Sequence, residues 1–148
     1  MRVNYGASYQ QSQLDGIIVD DTKAILLGNW KQSTLLAGYR MGYKHDGDAR
    51  DGNSSATFAA KLPKPGKYEV QIAWTSNPNR ATNVPAQVKH AKGEGNFLLN
   101  QRKEPNQDIG FQRLGVFQFG TEAEVIISNQ DTDGHVIIDA VRWVKVVQ

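Results

Sequence analysis

The sequence predicts an all-β fold: a jelly-roll β-sandwich of two antiparallel sheets with about nine strands. Three observations carry that expectation. Short apolar runs recur along the chain, separated by Gly, Pro, Asn and Asp turns. Tyr68, Val70, Ile72 and Trp74 alternate with Glu69, Gln71, Ala73 and Thr75, which is the period of a half-buried strand. No segment carries an amphipathic helical stripe with capping residues.

The elements follow in chain order. Met1 to Gln13 is polar and aperiodic and reads as a linker or N-terminal arm, so residues 14–148 form the domain. Ile17-Ile18-Val19 runs into Asp20-Asp21, and Ala24 to Leu27 stops at Gly28-Asn29. Ala56 to Ala60 follows a Gly/Asn/Ser cluster. Pro63, Pro65 and Gly66 turn the chain into the strongest strand, Lys67 to Thr75. Val84 to His90 is the next strand. Lys92-Gly93-Glu94-Gly95 then reads as a hairpin turn leading into Phe97 to Gln101. Leu114 to Phe119 places Phe117 and Phe119 on one face. Val125-Ile126-Ile127 leads to the turn Asp131-Thr132-Asp133-Gly134, and the pair Val136 to Ala140 and Val141 to Val147 closes the chain. The phase of Trp74 and the setting of Trp143 between Val141 and Val144 mark both rings as core.

Composition bounds the function. The 148 residues are 39% hydrophobic and 22% charged, which suits one globular domain with a sizeable core. The net charge of +2 and scattered lysines supply no nucleic-acid footprint. No apolar run reaches a membrane span, and the first residues lack the cationic-then-apolar order of a signal peptide. Without cysteine there is no disulfide, thiol nucleophile or thiolate metal site. The three histidines fall in no zinc-protease pattern, and Gly-x-Ser-x-Gly is absent. The expectation is a non-enzyme.

Several motifs occur in a specific order: Trp30…Ser33, Tyr43-Lys44-His45-Asp46-Gly47, Ser55-Ala56-Thr57-Phe58, and Leu62-Pro63…Gly66-Lys67-Tyr68-Glu69-Val70. They continue through Asn79 to Pro85, His90…Gly93, Asn100-Gln101-Arg102, Leu114-Gly115-Val116-Phe117 and Thr132-Asp133-Gly134…Asp139-Ala140-Val141. From Leu14 to Trp143 the chain resembles the golvesin C-terminal domain family, found also in xanthan lyases and at the C-terminus of predicted FAD-dependent oxidoreductases. The resemblance implies a carbohydrate-binding-like β-sandwich. It would be an accessory module of a larger bacterial protein, working outside the cell or in the periplasm and tethered to a catalytic domain.

The expected partner is then a polysaccharide. A sugar ring offers an apolar face and a hydroxyl edge, and it asks for an aromatic plate and many polar contacts. Asn79-Arg80-Ala81-Thr82-Asn83-Val84-Pro85 sits between two strands and packs two amides, a guanidinium and a hydroxyl into one loop, more than a turn needs. The expected carbohydrate contacts are Arg80, Asn79 and Asn83, with Tyr43, His45, His90, Asn100, Gln101 and Tyr39 around them; Trp30 and Trp74 are further candidate plates. The alternative is a structural or assembly domain, in which these groups are buried hydrogen-bond partners. Exposure separates the two. Asp46, Asp48 and Asp51 in a Gly-rich loop suggest a structural calcium, against the alternative of a solvated acidic turn.

Overall fold

The computed structural model describes residues 16–33, 42–106 and 110–147. Two antiparallel sheets make the sandwich, and together they hold nine strands, the number expected. The first has the order β1 (Ile17–Asp20), β12 (Ala140–Lys145), β6 (Gly66–Ala73), β9 (Phe111–Phe119). The second has the order β2 (Ile25–Leu27), β5 (Ser55–Lys61), β10 (Glu122–Ser128), β7 (Val84–His90), β8 (Gly93–Leu99). Three short strands, β11 (Ile137–Ile138), β4 (Tyr43–His45) and β3 (Lys31–Ser33), add a small third sheet; β11 lies within the expected strand Val136 to Ala140, but it joins β4 rather than β12, and the sequence pattern does not reveal β3, β4 or the separate sheet.

Alternation decides the core. In β5, Ala56 and Phe58 face in while Ser55 and Thr57 face out. In β10, Val125 and Ile127 face in opposite Val88 and Ala86 of β7. Tyr68, Val70 and Ile72 of β6 meet them from the other sheet, with Trp143, Val141, Phe119 and Trp74 completing one cluster. Trp143 has no exposed surface, and truncating a side chain of that kind to Ala costs about 3–5 kcal/mol. Trp74 is buried too. Its indole Nε1 donates to the Lys103 carbonyl at 2.8 Å, so the ring is not a sugar plate. Trp30 is half-buried, and its Nε1 is shared between the carbonyls of Leu27 and Ser55.

One turn differs from expectation. Gly93 and Gly95 lie within β8, and β7 ends at His90, so the hairpin turns on Ala91-Lys92. Gly95 is a strand glycine because a Cβ there would lie 3.2–3.3 Å from the rings of Phe117 and Phe97. The close approach of an aromatic, not a turn, selects it.

Candidate functional site

The Asn79–Pro85 loop is built inward. Arg80 is 4% exposed. Its Nε donates to the Thr75 carbonyl at 2.9 Å, Nη1 to Asn79 Oδ1 at 2.8 Å and Nη2 to the Tyr43 hydroxyl at 3.3 Å. The guanidinium lies 5.4 Å from the centre of the Tyr43 ring, itself 3% exposed. Gln101 has no exposed surface and acts as a surrogate strand: its Nε2 donates to the Ile137 carbonyl at 2.9 Å and its Oε1 accepts from the Ile137 N–H at 2.8 Å. The expectation that Arg80, Tyr43 and Gln101 meet a sugar edge is therefore corrected. They present almost no surface, because buried polar groups have found their partners inside.

The neighbouring side chains close the same clasp. Asn83 uses both ends of its amide: Nδ2 donates to the Asp131 carbonyl and Oδ1 accepts from the Asp133 N–H. Thr82 gives its N–H and its hydroxyl to the Asp133 carboxylate at 2.7 and 2.6 Å, which holds that carboxyl below the usual range. Arg102 Nε caps the Arg80 carbonyl at 2.7 Å. Gly134 is required where the two loops touch, since a Cβ would come 2.7 Å from the Arg80 carbonyl. His90 stacks on Phe117 at 4.9 Å. His45 is half-buried, 5.6 Å from the His135 ring. Burial, and then the nearby charges of His135, Lys31 and Arg80, lower its pKa. Asn79 remains at the surface, Asn100 is half-exposed, and Tyr39 lies outside the described residues.

The acidic loop is likewise spent on structure. Asp46 is buried; its Oδ1 accepts from the N–H groups of Asp48 and Val136, and its Oδ2 from Asn129 Nδ2. Asp48 pairs with Arg50 at 2.6 Å, which lowers the Asp48 pKa. Asp51 accepts from the Asn53 N–H and Asn129 Nδ2. Among the described residues these three do not converge on one point. Their partners differ: Asp46 and Asp51 tie the turn to Asn129, Asp46 also holds the Val136 N–H, and Asp48 pairs with Arg50.

Open polar surface lies elsewhere. The outer face of the five-stranded sheet carries a groove of about 380 Å³ whose lining includes Pro85, Gln87, Asn96, Phe97, Leu98 and Ile126. Strand register sets Gln87 opposite Asn96 and Pro85 opposite Leu98, with Ile126 beside Gln87 on the other flank. The result is an apolar floor with amides beside it. Gln87 Nε2 and Asn96 Oδ1 are 3.4 Å apart, a long bond that leaves the rest of both amides available. Leu98, 72% exposed, is also a wall of a second groove of about 380 Å³ reached over the β8 edge, lined by Asn100, Lys103, Glu104, Gln112 and Arg113 among others. Sequence reasoning missed the first groove. Its signal was present: Leu98 precedes buried Leu99, and alternation lets only one of them face in.

Known proteins share this architecture. The family model described as Golvesin C-terminal domain matches residues 17–145. A xanthan lyase of Bacillus sp. (strain GL1) is 33% identical over 145 residues, covering 92% of this chain and 15% of the relative. The solved structure of a Paenibacillus xanthan lyase superposes with a TM-score of 0.81 at 33% identity, over 88% of this chain and 13% of that one. A Podospora anserina GH26-CBM35 β-(1,4)-mannanase superposes with a TM-score of 0.64 at 15% identity, over 91% of this chain and 29% of that one, a likeness of fold alone. The chain thus corresponds to a small part of the xanthan lyases it matches.

Proposed function

The chain belongs to the golvesin C-terminal domain family, and from that premise we propose that it is a non-catalytic accessory module holding a polysaccharide near the domain to which it is joined. The observation that carries this reading is the outer-face groove with its apolar floor of Pro85, Leu98 and Ile126 and its amides, Gln87 and Asn96. A pyranose can lay its C–H face on that floor and offer its hydroxyls to the amides. Asn100, expected from sequence, lines the adjoining groove and extends the track over the β8 edge. The aromatic ring that lines the first groove among the described residues, Phe97, is half-buried and packs against the core, so it makes a poor stacking plate. Each hydroxyl exchange with water has a small net gain, so affinity for a single chain is weak. Tethering makes weak binding useful by raising effective concentration. A module with such a ligand works outside the cytoplasm, where polysaccharide is met.

The test is affinity electrophoresis and calorimetry against xanthan, a neutral β-glucan and a galactomannan. Retention by one of them, weakened about fivefold to thirtyfold in the Gln87→Ala/Asn96→Ala double variant, is the expected result. Retention that this double variant leaves untouched, or silence across the panel, ends the reading.

A second reading rests on a different observation. Ile25 and Leu27 are exposed side by side on edge strand β2, an apolar strip that an adjacent domain of the parent protein can cover. In that reading the module docks rather than binds glycan. Exchange protection of β2 appearing only in the full-length parent supports it.

A further inference from the structure

Strand pairing brings three carboxylates together from opposite ends of the sequence. β1 pairs antiparallel with β12 so that Asp20 stands opposite Ala140. Asp21 opens the 3-10 turn that follows β1, and its N–H donates to the Asp139 carbonyl at 2.6 Å. Asp20, Asp21 and Asp139 are 7%, 2% and 1% exposed, and one oxygen from each lies within 4.8 Å of the others.

The hydrogen bonds are unevenly distributed. Asp20 Oδ2 accepts from the Thr22 N–H and hydroxyl at 3.0 and 2.6 Å. Asp20 Oδ1 is buried and has no hydrogen-bond partner among the described residues. An unmet buried carboxylate oxygen is costly and rare in a native protein. Asp21 Oδ2 takes the Lys44 ammonium at 2.6 Å.

From this geometry we infer that Asp20, Asp21 and Asp139 form a site for a divalent, oxygen-seeking cation of the calcium type. Oxygens bound to one calcium ion at about 2.3–2.6 Å stand no more than about 5 Å apart, and the cluster meets that limit. The donors are all hard oxygens, with no imidazole or thiolate, which disfavours zinc and copper. The ion would give Asp20 Oδ1 its partner and staple the short edge strand β1 to β12. Water fills the remaining positions, as it commonly does around calcium. The site is separate from the acidic turn of Asp46, Asp48 and Asp51, whose carboxylates already bond Val136, Asn129 and Arg50, and it does not depend on the glycan reading.

The experiment uses the whole chain, stripped with a chelator and then titrated with calcium chloride, followed by thermal melting and calorimetry. One ion per chain is expected, with a rise in Tm of roughly 5–10 °C at a hundredfold excess over Kd. Asp20→Asn and Asp139→Asn should abolish the calcium response, and Asp48→Asn/Asp51→Asn should keep it. Asp20→Asn retains an oxygen for Thr22, so it remains foldable and informative if Asp139→Asn does not fold. Two results overturn the inference. One is a wild-type chain indifferent to calcium, magnesium and manganese. The other is a response that survives Asp20→Asn and disappears in the acidic-turn variant.

Discussion

The loop clasp around Arg80 and the outer face of the five-stranded sheet use the same chemistry to opposite ends. Both are rich in amides. In the clasp, Gln101 and Asn83 spend both ends of their amides on backbone partners in other parts of the chain. On the sheet face, Gln87 and Asn96 share one 3.4 Å bond and otherwise face the groove. The difference teaches that an amide's role follows from whether its neighbours exclude water. A buried amide left unpaired costs about 1–3 kcal/mol, whereas an exposed one exchanges water for a ligand at little net change.

Breaking the clasp should have the largest effect. Gln101→Ala strands the N–H and C=O of Ile137 and should lower unfolding free energy by about 2–4 kcal/mol in a denaturant melt. Arg80→Ala belongs in the same range, since it strips the Thr75 carbonyl and the Tyr43 hydroxyl of a buried donor. If either variant melted like wild type, the clasp would not be the structural region described. Gly134→Ala forces the two loop backbones apart and should cost about 1–3 kcal/mol by the same measurement.

The sheet face should respond in the opposite sense. Gln87→Ala/Asn96→Ala should leave stability within about 0.5 kcal/mol of wild type while glycan retention falls about fivefold to thirtyfold, at roughly 1 kcal/mol for each amide removed. A stability loss as large as that of Gln101→Ala would erase the contrast between the two regions.

The smallest expected effect is a pH dependence confined to the clasp. The Thr82 hydroxyl and N–H hold the Asp133 carboxyl below its ordinary value of 3.8. Its folded pKa is therefore lower than its unfolded one. The contribution is present above pH 3.8 and is lost as pH falls through the depressed folded value. Asp133→Asn should flatten the acid side of a Tm-against-pH curve by that contribution. An acid limb as steep as wild type's would show that Asp133 does not sense pH.

Much of the scaffold was legible because period-2 alternation is local. Val84–His90 reads as a strand from its own residues, and Tyr68, Val70, Ile72 and Trp74 declare their common face before any partner is known. The short strands β3 and β4 were not legible, since three residues are too few to show a period, and β11 lies within the expected strand Val136 to Ala140 but pairs with β4, a partner the sequence does not name. The unusual density of polar groups around Arg80 is legible in the sequence, but density does not report direction. Gln87 and Asn96 lie nine positions apart in the chain, and only their cross-strand register makes them neighbours.

By itself the sequence determined the class of fold, the family likeness and most of the core, because side-chain periodicity and turn residues act over a few positions. The tertiary structure decided which polar groups are sealed and which are open. It also decided that Asp20 and Asp21 meet Asp139 from the far end of the chain. The physical reason is that burial and convergence depend on long-range strand pairing, and the energy of a polar group changes sign with the water it can reach.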